Sequence, residues 1–270
     1  GGYECFADNS VSWEAVEEKL EWLNKKLAPI TGEEKTFCIA GDKLKASGFA
    51  GFSHLTENKL EGGLHSGKLI KALLQKATGM GVQVLTNIEA KSFEQSHTGV
   101  IIETKQGFSF SAKQMLICTN AFTKELLPEA DIVPNRGQVL ITDEIIGLRI
   151  KGSFHFDRGY YYFRNVGNRL LLGGGRNKAF EEEQTTSMGT TDVIQNELES
   201  FIKKHLLPGT GFTVSSRWSG IMAMGTEKMP IVKKTGENVF CCVRMSGMGV
   251  ALAPVVADEI ASIMQASINR

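Results

Sequence analysis

The C-terminal part of the chain carries the pattern that most constrains the fold. An apolar strand, Val239 to Val243, is predicted to run through a glycine-containing turn directly into a helix, with Pro254 expected in the first helical turn. Such a unit leaves backbone N–H groups unpaired at the helix N-terminus, where an anionic or electron-rich group is favoured. The same glycines, Gly247 and Gly249, are equally compatible with a turn that only allows close packing.

The rest of the chain divides into two kinds of region that interleave. Alternating apolar residues and tight turns predict an antiparallel sheet built from the N-terminal strands and the part between Ile132 and Trp218. A helix, a strand at 81–85 and a meander ending in a buried strand at 115–118 predict part of a dinucleotide-type domain. The predicted fold class is α+β, with a large, mainly antiparallel sheet in 1–60 and 131–233 and the second domain in 61–130 and 234–270.

Local signals predict several element boundaries. Ser12 and Ser66 are expected to cap the helices that follow them. Short strands are expected at 36–40 and 48–52, separated by a basic turn, and Thr190 or Thr191 is expected to cap a later helix.

Composition excludes some partners. Thirty basic residues balance thirty acidic ones, so no basic stripe favours nucleic acid or anionic lipid. The sequence shows no apolar run that approaches a membrane span and no signal-peptide pattern, and the expected location is the cytoplasm. The five cysteines match no zinc spacing and the five histidines lie beside no catalytic partner, so we expect free thiols and no metal site.

Several motifs together resemble the superfamily of FAD-dependent D-amino acid, glycine and sarcosine oxidases, in particular the branch that includes gamma-glutamylputrescine oxidase. The resemblance covers nearly the whole chain. The segments that carry it are Arg217-Trp218-Ser219-Gly220, Lys228-Met229-Pro230-Ile231-Val232, Ser246 to Pro254, Gly62-Gly63-Leu64, Leu116 to Phe122, Pro134 to Val139, Tyr160 to Arg164 and Leu170 to Arg176.

The resemblance implies a set of cofactor contacts for FAD. The backbone around Ile88 would face the adenine, and the segment after the buried strand would approach the flavin, as would the glycine turn. The implied cofactor residues are Ile88, Thr119, Asn120, Ala121, Gly220, Arg244, Gly247, Met248, Gly249 and Val250.

The candidate catalytic residues come from two kinds of signal. Tyr162 and Arg164 share one face of a predicted strand that the resemblance places over the flavin, and aromatic strand residues are otherwise common in packing. Arg136 and Arg217 precede motif residues at which the family approaches its active cavity, although a lone arginine is usually a surface or ion-pair residue.

The chain departs from the family pattern at two positions. Glycine oxidase has an arginine for the substrate carboxylate where this chain has Met222, which favours an amine or a longer substrate held elsewhere. Sarcosine oxidase tethers its flavin through a cysteine near the position of Gly220, and no cysteine lies there in this chain. We therefore expect noncovalent FAD.

The sequence contains no G-x-G-x-x-G between a strand and a helix, and it does not begin with Met. We expect a fragment of a longer flavoprotein that oxidises a C–N bond of a small-molecule amine by hydride transfer to the flavin. The fragment itself is expected to hold FAD poorly, to be inactive and to expose faces that self-associate. The alternatives are a non-catalytic binding module and a flavoprotein of the same fold acting on a non-amine substrate.

Overall fold

The computed structural model describes residues 1–7 and 12–268. The helices are α1 (Trp13–Thr31), α2 (Gly41–Ser47), α3 (Ser66–Gly79), α4 (Asp192–Phe201) and α5 (Gly249–Ile268), and a π-helical turn, Ile202–Leu206, extends α4. The strands are β1 (Gly2–Phe6), β2 (Phe37–Ile39), β3 (His54–Asn58), β4 (Ala90–Ser96), β5 (Gly99–Thr104), β6 (Ser109–Ala112), β7 (Met115–Ile117), β8 (Val133–Thr142), β9 (Ser153–Phe156), β10 (Tyr161–Val166), β11 (Arg169–Gly174), β12 (Val214–Met224), β13 (Ile231–Lys234) and β14 (Val239–Val243).

The chain divides into two compact units. Unit 1 comprises Gly1–Leu64, Gly137–Glu183 and Met188–Gly220, and unit 2 comprises His65–Arg136, Gln184–Ser187 and Ile221–Arg270, of which 269–270 lie outside the described residues. The predicted domain boundaries and their assignment to substrate and FAD roles stay predictions.

The largest sheet has eight strands in the order β12-β8-β11-β10-β9-β1-β3-β2. β1 pairs with β9 in parallel, whereas β1–β3, β2–β3, β9–β10, β10–β11 and β8–β11 are antiparallel. The prediction of a large, mainly antiparallel sheet is confirmed. It joins Val139 of β8 and Tyr162 of β10 through Gly173 of β11, as the alternation of apolar residues predicted.

The core of unit 1 lies on one face of this sheet. Phe154 and Phe163 stack with ring centroids 5.1 Å apart, and Tyr161 stacks on Phe201 of α4 at 4.4 Å. Ile194 and Leu198 of α4 are fully buried in the same cluster. Each buried leucine or phenylalanine contributes on the order of 1.5–3 kcal/mol, so α4 and the sheet stabilise each other.

Unit 2 contains two three-stranded sheets. β4, β5 and β6 form an antiparallel meander, as predicted, and the other sheet has the order β13-β14-β7. β14 is buried on both faces, because Val239 packs with the meander residue Val100 whereas Phe240 packs with Val256 and Ile260 of α5. β14 therefore forms the centre of this unit.

Two predicted strands are wrong. The segment 48–52 forms turns after α2, because Gly48 and Gly51 adopt left-handed φ values of 71° and 77° that extended strands do not use. The segment 81–85 alternates apolar residues but is not a strand, because none of the described strands pairs with it.

Three boundary predictions need correction. Ser12 caps α1 as predicted, whereas α3 is capped by the His65 side chain, which accepts a bond from the Lys68 N–H at 3.3 Å in place of Ser66. Pro254 lies in the second turn of α5 because the helix begins at Gly249. Thr191 occupies the N-cap of α4, but its side chain makes no capping bond.

α5 also corrects the expectation about apolar runs. An 18-residue window of this 20-residue helix has a mean hydropathy of 1.3, so by length and composition alone the helix could cross a membrane. A single helix of this kind is weak evidence for a span; 11% of that window is buried, with Val256 and Ile260 packed on a sheet strand. The absence of a membrane partner stays a prediction.

Candidate cofactor site and substrate face

The carboxyl ends of β7 and β14 bring together two of the predicted cofactor segments. The two strands run parallel, with Ile117 opposite Cys241, so the loops that follow them leave from the same edge of the sheet. After β7, Thr119 is the N-cap of a 3₁₀ helix, Asn120–Glu125, whose first two residues are Asn120 and Ala121. The segment 244–250 follows β14. Ligands of open α/β sheets bind at such an edge.

The end of β12 ties both loops in place. Asn120 donates from Nδ2 to the Ile221 carbonyl at 3.4 Å, and the Ser246 N–H donates to the Ala223 carbonyl at 3.2 Å. Ala121 is buried beside Ala223 in an apolar cluster of the same unit. The two loops therefore share one support.

The turn between β14 and α5, residues 244–250, has the groups that a flavin nucleotide would need; we call it the glycine turn. Gly247 has a φ of 83° and Ser246 one of 50°. Within the described residues, the backbone N–H groups of Gly249 and Val250 have no hydrogen-bond partner, as expected at a helix N-terminus. The buried Ser246 Oγ also has no partner among them. Unpaired donors at a helix N-terminus suit the acceptor oxygens of a flavin nucleotide, so the residues present fit FAD.

The resemblance implied that Arg244 contacts the cofactor, whereas its side chain is bound to other residues of unit 2. Its side chain is only 7% exposed and is paired with Asp131. Its Nε donates to the Met229 carbonyl at 2.8 Å. The guanidinium is therefore occupied inside unit 2, and a cofactor contact from this residue would come from its backbone.

The remaining predicted cofactor residues lie in defined positions. Ile88 follows Asn87, whose carbonyl accepts a 2.9 Å bond from Gln106 Nε2, and precedes β4. Met248 is 47% exposed in the glycine turn. Gly220 lies in β12, with open space where a Cβ would stand. Their contacts with FAD stay predictions.

Tyr162 and Arg164 lie on the sheet face opposite the core of unit 1. Tyr161 and Phe163 alternate with them and are buried in the core, as predicted. The Tyr162 ring lies over Gly173, where an added Cβ would be 2.4 Å from Tyr162 Cε2. Burial raises the pKa of the Tyr162 phenol, so the hydroxyl stays protonated and can donate a hydrogen bond at neutral pH.

Arg164 is partly committed to its own unit. Its Nη1 donates to the Leu64 carbonyl at 2.6 Å, which fixes the guanidinium beside the segment that leads to α3. Its Nε donates to the Asn165 carbonyl at 3.5 Å, which leaves the Nη2 donors for a substrate oxygen or carboxylate. The assignment of Tyr162 and Arg164 to catalysis stays a prediction.

Arg217 and Arg136 are each held by residues of their own unit. Arg217 of β12 donates to Glu199 and Gln195 of α4, both at 2.6 Å, and α4 covers the core face. Its guanidinium holds the pKa of Glu199 below its usual range. Arg136 is buried in β8, and its Nη1 donates to the Ser187 carbonyl at 3.4 Å. Both side chains have structural partners.

Sequence reasoning missed Glu4, His155 and Gly173, which share the face of Tyr162. Tyr162 stands opposite His155 of β9, which stands opposite Glu4 of β1. Burial raises the pKa of Glu4 to about 7, with smaller contributions from Glu61 and Asp157. The pair Gly173-Gly174 inside a strand pattern was a signal of close approach to a neighbour. No sequence signal linked residues as distant as Glu4 and His155.

The five cysteines of the chain form no disulfide bonds. Cys5, Cys38, Cys118, Cys241 and Cys242 are free thiols, three of them buried. Burial raises the pKa of Cys241 to about 11, which keeps it a thiol. Residues 1–7 and 12–268 contain no group of three or more His, Cys, Asp or Glu side chains able to hold a metal ion.

The fold is that of FAD-dependent amino acid oxidases and dehydrogenases. Glycine oxidase from Geobacillus kaustophilus superposes with a TM-score of 0.80 at 16% identity, covering 98% of this chain and 70% of that chain. L-proline dehydrogenase from P. horikoshii gives 0.77 at 16% identity, covering 97% of this chain and 71% of that one. At this identity the likeness shows the fold.

The chain belongs to the family of FAD dependent oxidoreductases (DAO), whose pattern matches residues 7–263. The N-methyl-L-tryptophan oxidase of Escherichia coli O127:H6 is 25% identical over 76% of this chain and 57% of its own length. The bifunctional protein ThiO/ThiG of Synechocystis is 25% identical over 76% of this chain and 31% of its own length. The chain thus spans about a third to somewhat more than half of these relatives.

Proposed function

We propose that the protein containing this chain is an FAD-dependent oxidoreductase that oxidises the C–N bond of an amine or amino-acid-like substrate. The glycine turn carries the proposal, because it offers unpaired N–H groups beside the segment Thr119–Ala121 at one sheet edge. Family membership supports the same cofactor, since the family is defined by dependence on FAD.

FAD would accept a hydride from the carbon next to the substrate nitrogen. The chain's own residues would bind and orient that substrate and exclude water. Tyr162 would donate a hydrogen bond from its protonated hydroxyl, and Arg164 would pair with an oxygen or carboxylate of the substrate. These roles suit a reaction that needs no protein nucleophile.

An amine or a longer substrate is favoured over a simple α-amino acid. Met222 stands where glycine oxidase carries the arginine for the substrate carboxylate, and its sulfur lies 3.5 Å from where a Cβ on Gly247 would stand. An apolar thioether at this point of the glycine turn offers no donor to a carboxylate. We also propose noncovalent FAD, the gamma-glutamylputrescine oxidase-like branch and a cytoplasmic location.

The full-length gene product tests the function. We expect it to purify with flavin absorbance, to release the flavin on acid precipitation, and to be bleached anaerobically by a member of an amine panel. Flavin left in the pellet would contradict noncovalent binding. Bleaching by hydroxy acids alone would favour the same fold acting on a non-amine substrate, and a colourless protein that no added FAD binds would favour a non-catalytic module.

A further inference from the structure

Arg244 has a backbone conformation that needs an explanation. It follows β14 directly and starts the glycine turn with a φ of 64°. Residues other than glycine rarely adopt left-handed φ, and those that do are held there by the surrounding structure. Its side chain is 7% exposed, so the residue is fixed by contacts inside unit 2.

The Arg244 guanidinium joins two other segments of unit 2. Its Nη1 pairs with the Asp131 carboxylate and donates to the Asp131 carbonyl at 3.1 Å. Its Nε donates to the Met229 carbonyl at 2.8 Å. A planar guanidinium with several donors in fixed directions can hold a backbone in one orientation.

Asp131 is held from its other side. Thr226 donates from Oγ1 to the carboxylate at 2.6 Å, and its N–H donates to the two carboxylate oxygens at 3.1 and 3.2 Å. Hydrogen bonds from Thr226, then the charge of Arg244, hold the pKa of Asp131 below its usual range, so the carboxylate is ionised at neutral pH. The pair is therefore a charge-assisted one.

Gly225 leaves the space in which this pair forms. A Cβ at Gly225 would lie 2.7 Å from Arg244 Cδ and 2.7 Å from the Asp131 carbonyl oxygen. The backbone can approach the guanidinium this closely because residue 225 has no side chain. Asp131 itself is 39% exposed at the edge of a cleft of about 670 Å³, so an isosteric change there can be accommodated.

From this arrangement we infer that the Arg244–Asp131 pair is a clamp that positions the glycine turn for the flavin. Arg244 is then a positioning residue, which acts through its backbone on the turn that ends in the unpaired N–H groups of Gly249 and Val250. The inference rests on the proposed function, since it assumes that FAD is what the turn contacts.

The test uses the full-length gene product with Asp131→Asn, Arg244→Lys and Arg244→Met. We expect Asp131→Asn and Arg244→Met to raise the Kd for FAD by tenfold or more and to change the visible circular dichroism of the bound flavin. Arg244→Lys keeps the charge without the planar fork, so an intermediate Kd is expected. Arg169→Lys is the matched control, because Arg169 pairs with Asp143 at 3.6 Å in unit 1.

Each other outcome has a definite meaning. Lower thermal stability of the apoprotein, with unchanged Kd and unchanged visible circular dichroism, would overturn the clamp and leave the proposed function standing. A wild-type protein that binds no FAD would overturn the proposed function and the clamp with it. A wild-type Kd and wild-type visible circular dichroism for Arg244→Lys would contradict the role of the planar guanidinium.

Discussion

Gly173 determines where the ring of Tyr162 can lie. Gly173→Ala would place a Cβ 2.4 Å from Tyr162 Cε2 and 2.6 Å from its hydroxyl oxygen. Because the ring must move, we expect a loss of about 1–3 kcal/mol in the free energy of unfolding and a higher KM for the substrate. Urea unfolding and steady-state kinetics measure both. Gly62→Ala, where a Cβ would meet nothing within 4 Å, is the control, and unchanged values for Gly173→Ala would refute the expectation.

Glu4 gives the stability a pH dependence. Burial raises its pKa from 4.5 to about 7, so between these values the folded state keeps a proton that the unfolded state has released. The contribution of Glu4 to the free energy of unfolding is therefore full below about pH 4.5 and falls as the pH rises through 7.

Glu4→Gln should remove this slope. We expect the difference between wild type and variant to change by on the order of 1–3 kcal/mol between pH 4.5 and pH 7.5. Thermal unfolding across that range measures it, with Glu18→Gln on exposed α1 as the control. Parallel curves for wild type and Glu4→Gln would show that Glu4 does not titrate differently on folding.

At the scale of elements, the cap of α1 is a direct case of sequence deciding structure. Ser12 Oγ accepts a bond from the Ala15 N–H at 3.3 Å. Ser12→Ala should lower the free energy of unfolding by about 1 kcal/mol, measured in urea. Thr190→Ala is the control, because Thr190 is exposed and does not cap α4. Equal losses in the two variants would argue against the cap.

Elements with strong local patterns could be predicted from the sequence. β14 was predicted with the bounds that the structure has, because its apolar residues and the turns that flank it agree with each other. The segment 81–85 was wrong because a strand also needs a neighbour, which local alternation does not report. α2 was missed because its seven residues are too few for a clear helical period.

The candidate site was only partly accessible to such reasoning. Resemblance to a known family found Thr119–Ala121 and the glycine turn, and the parallel pairing of β7 and β14 brings them to one edge. The partners of Arg244 and Arg217 could not be found this way, since Asp131 and Glu199 are distant in sequence from the arginines they pair with. Pairing across such separations depends on the fold.

At the scale of the whole molecule, we predict that the 270-residue chain alone binds FAD weakly. It contains no G-x-G-x-x-G loop, whose donors to the pyrophosphate contribute on the order of 1.5–3 kcal/mol each. Losing several such bonds should weaken binding by orders of magnitude, since about 1.4 kcal/mol is a factor of ten. Calorimetric titration with FAD measures this, and a micromolar or tighter Kd would contradict it.

We also expect the chain alone to self-associate. Ile70, Leu73 and Leu74 of α3 are 62%, 53% and 46% exposed and form one apolar stripe. Leu73→Lys should lower the average mass in sedimentation velocity, because a charge in that stripe opposes apolar association. Ile30→Lys on α1 is the matched control. A monomeric wild-type chain would rule out the expectation.

The place of β1 in the sheet has a consequence for the order of events during synthesis. β1 lies between β3 and β9, and Gly2 pairs with Ser153, so its parallel neighbour is translated long after it. A ribosome adding about 5–20 residues per second needs roughly 7–30 s to reach β9. For that time the edge of β1 that later pairs with β9 is open, and an open strand edge is a template for aggregation. Expression at a lower temperature, or together with additional chaperones, should therefore raise the soluble yield of this chain.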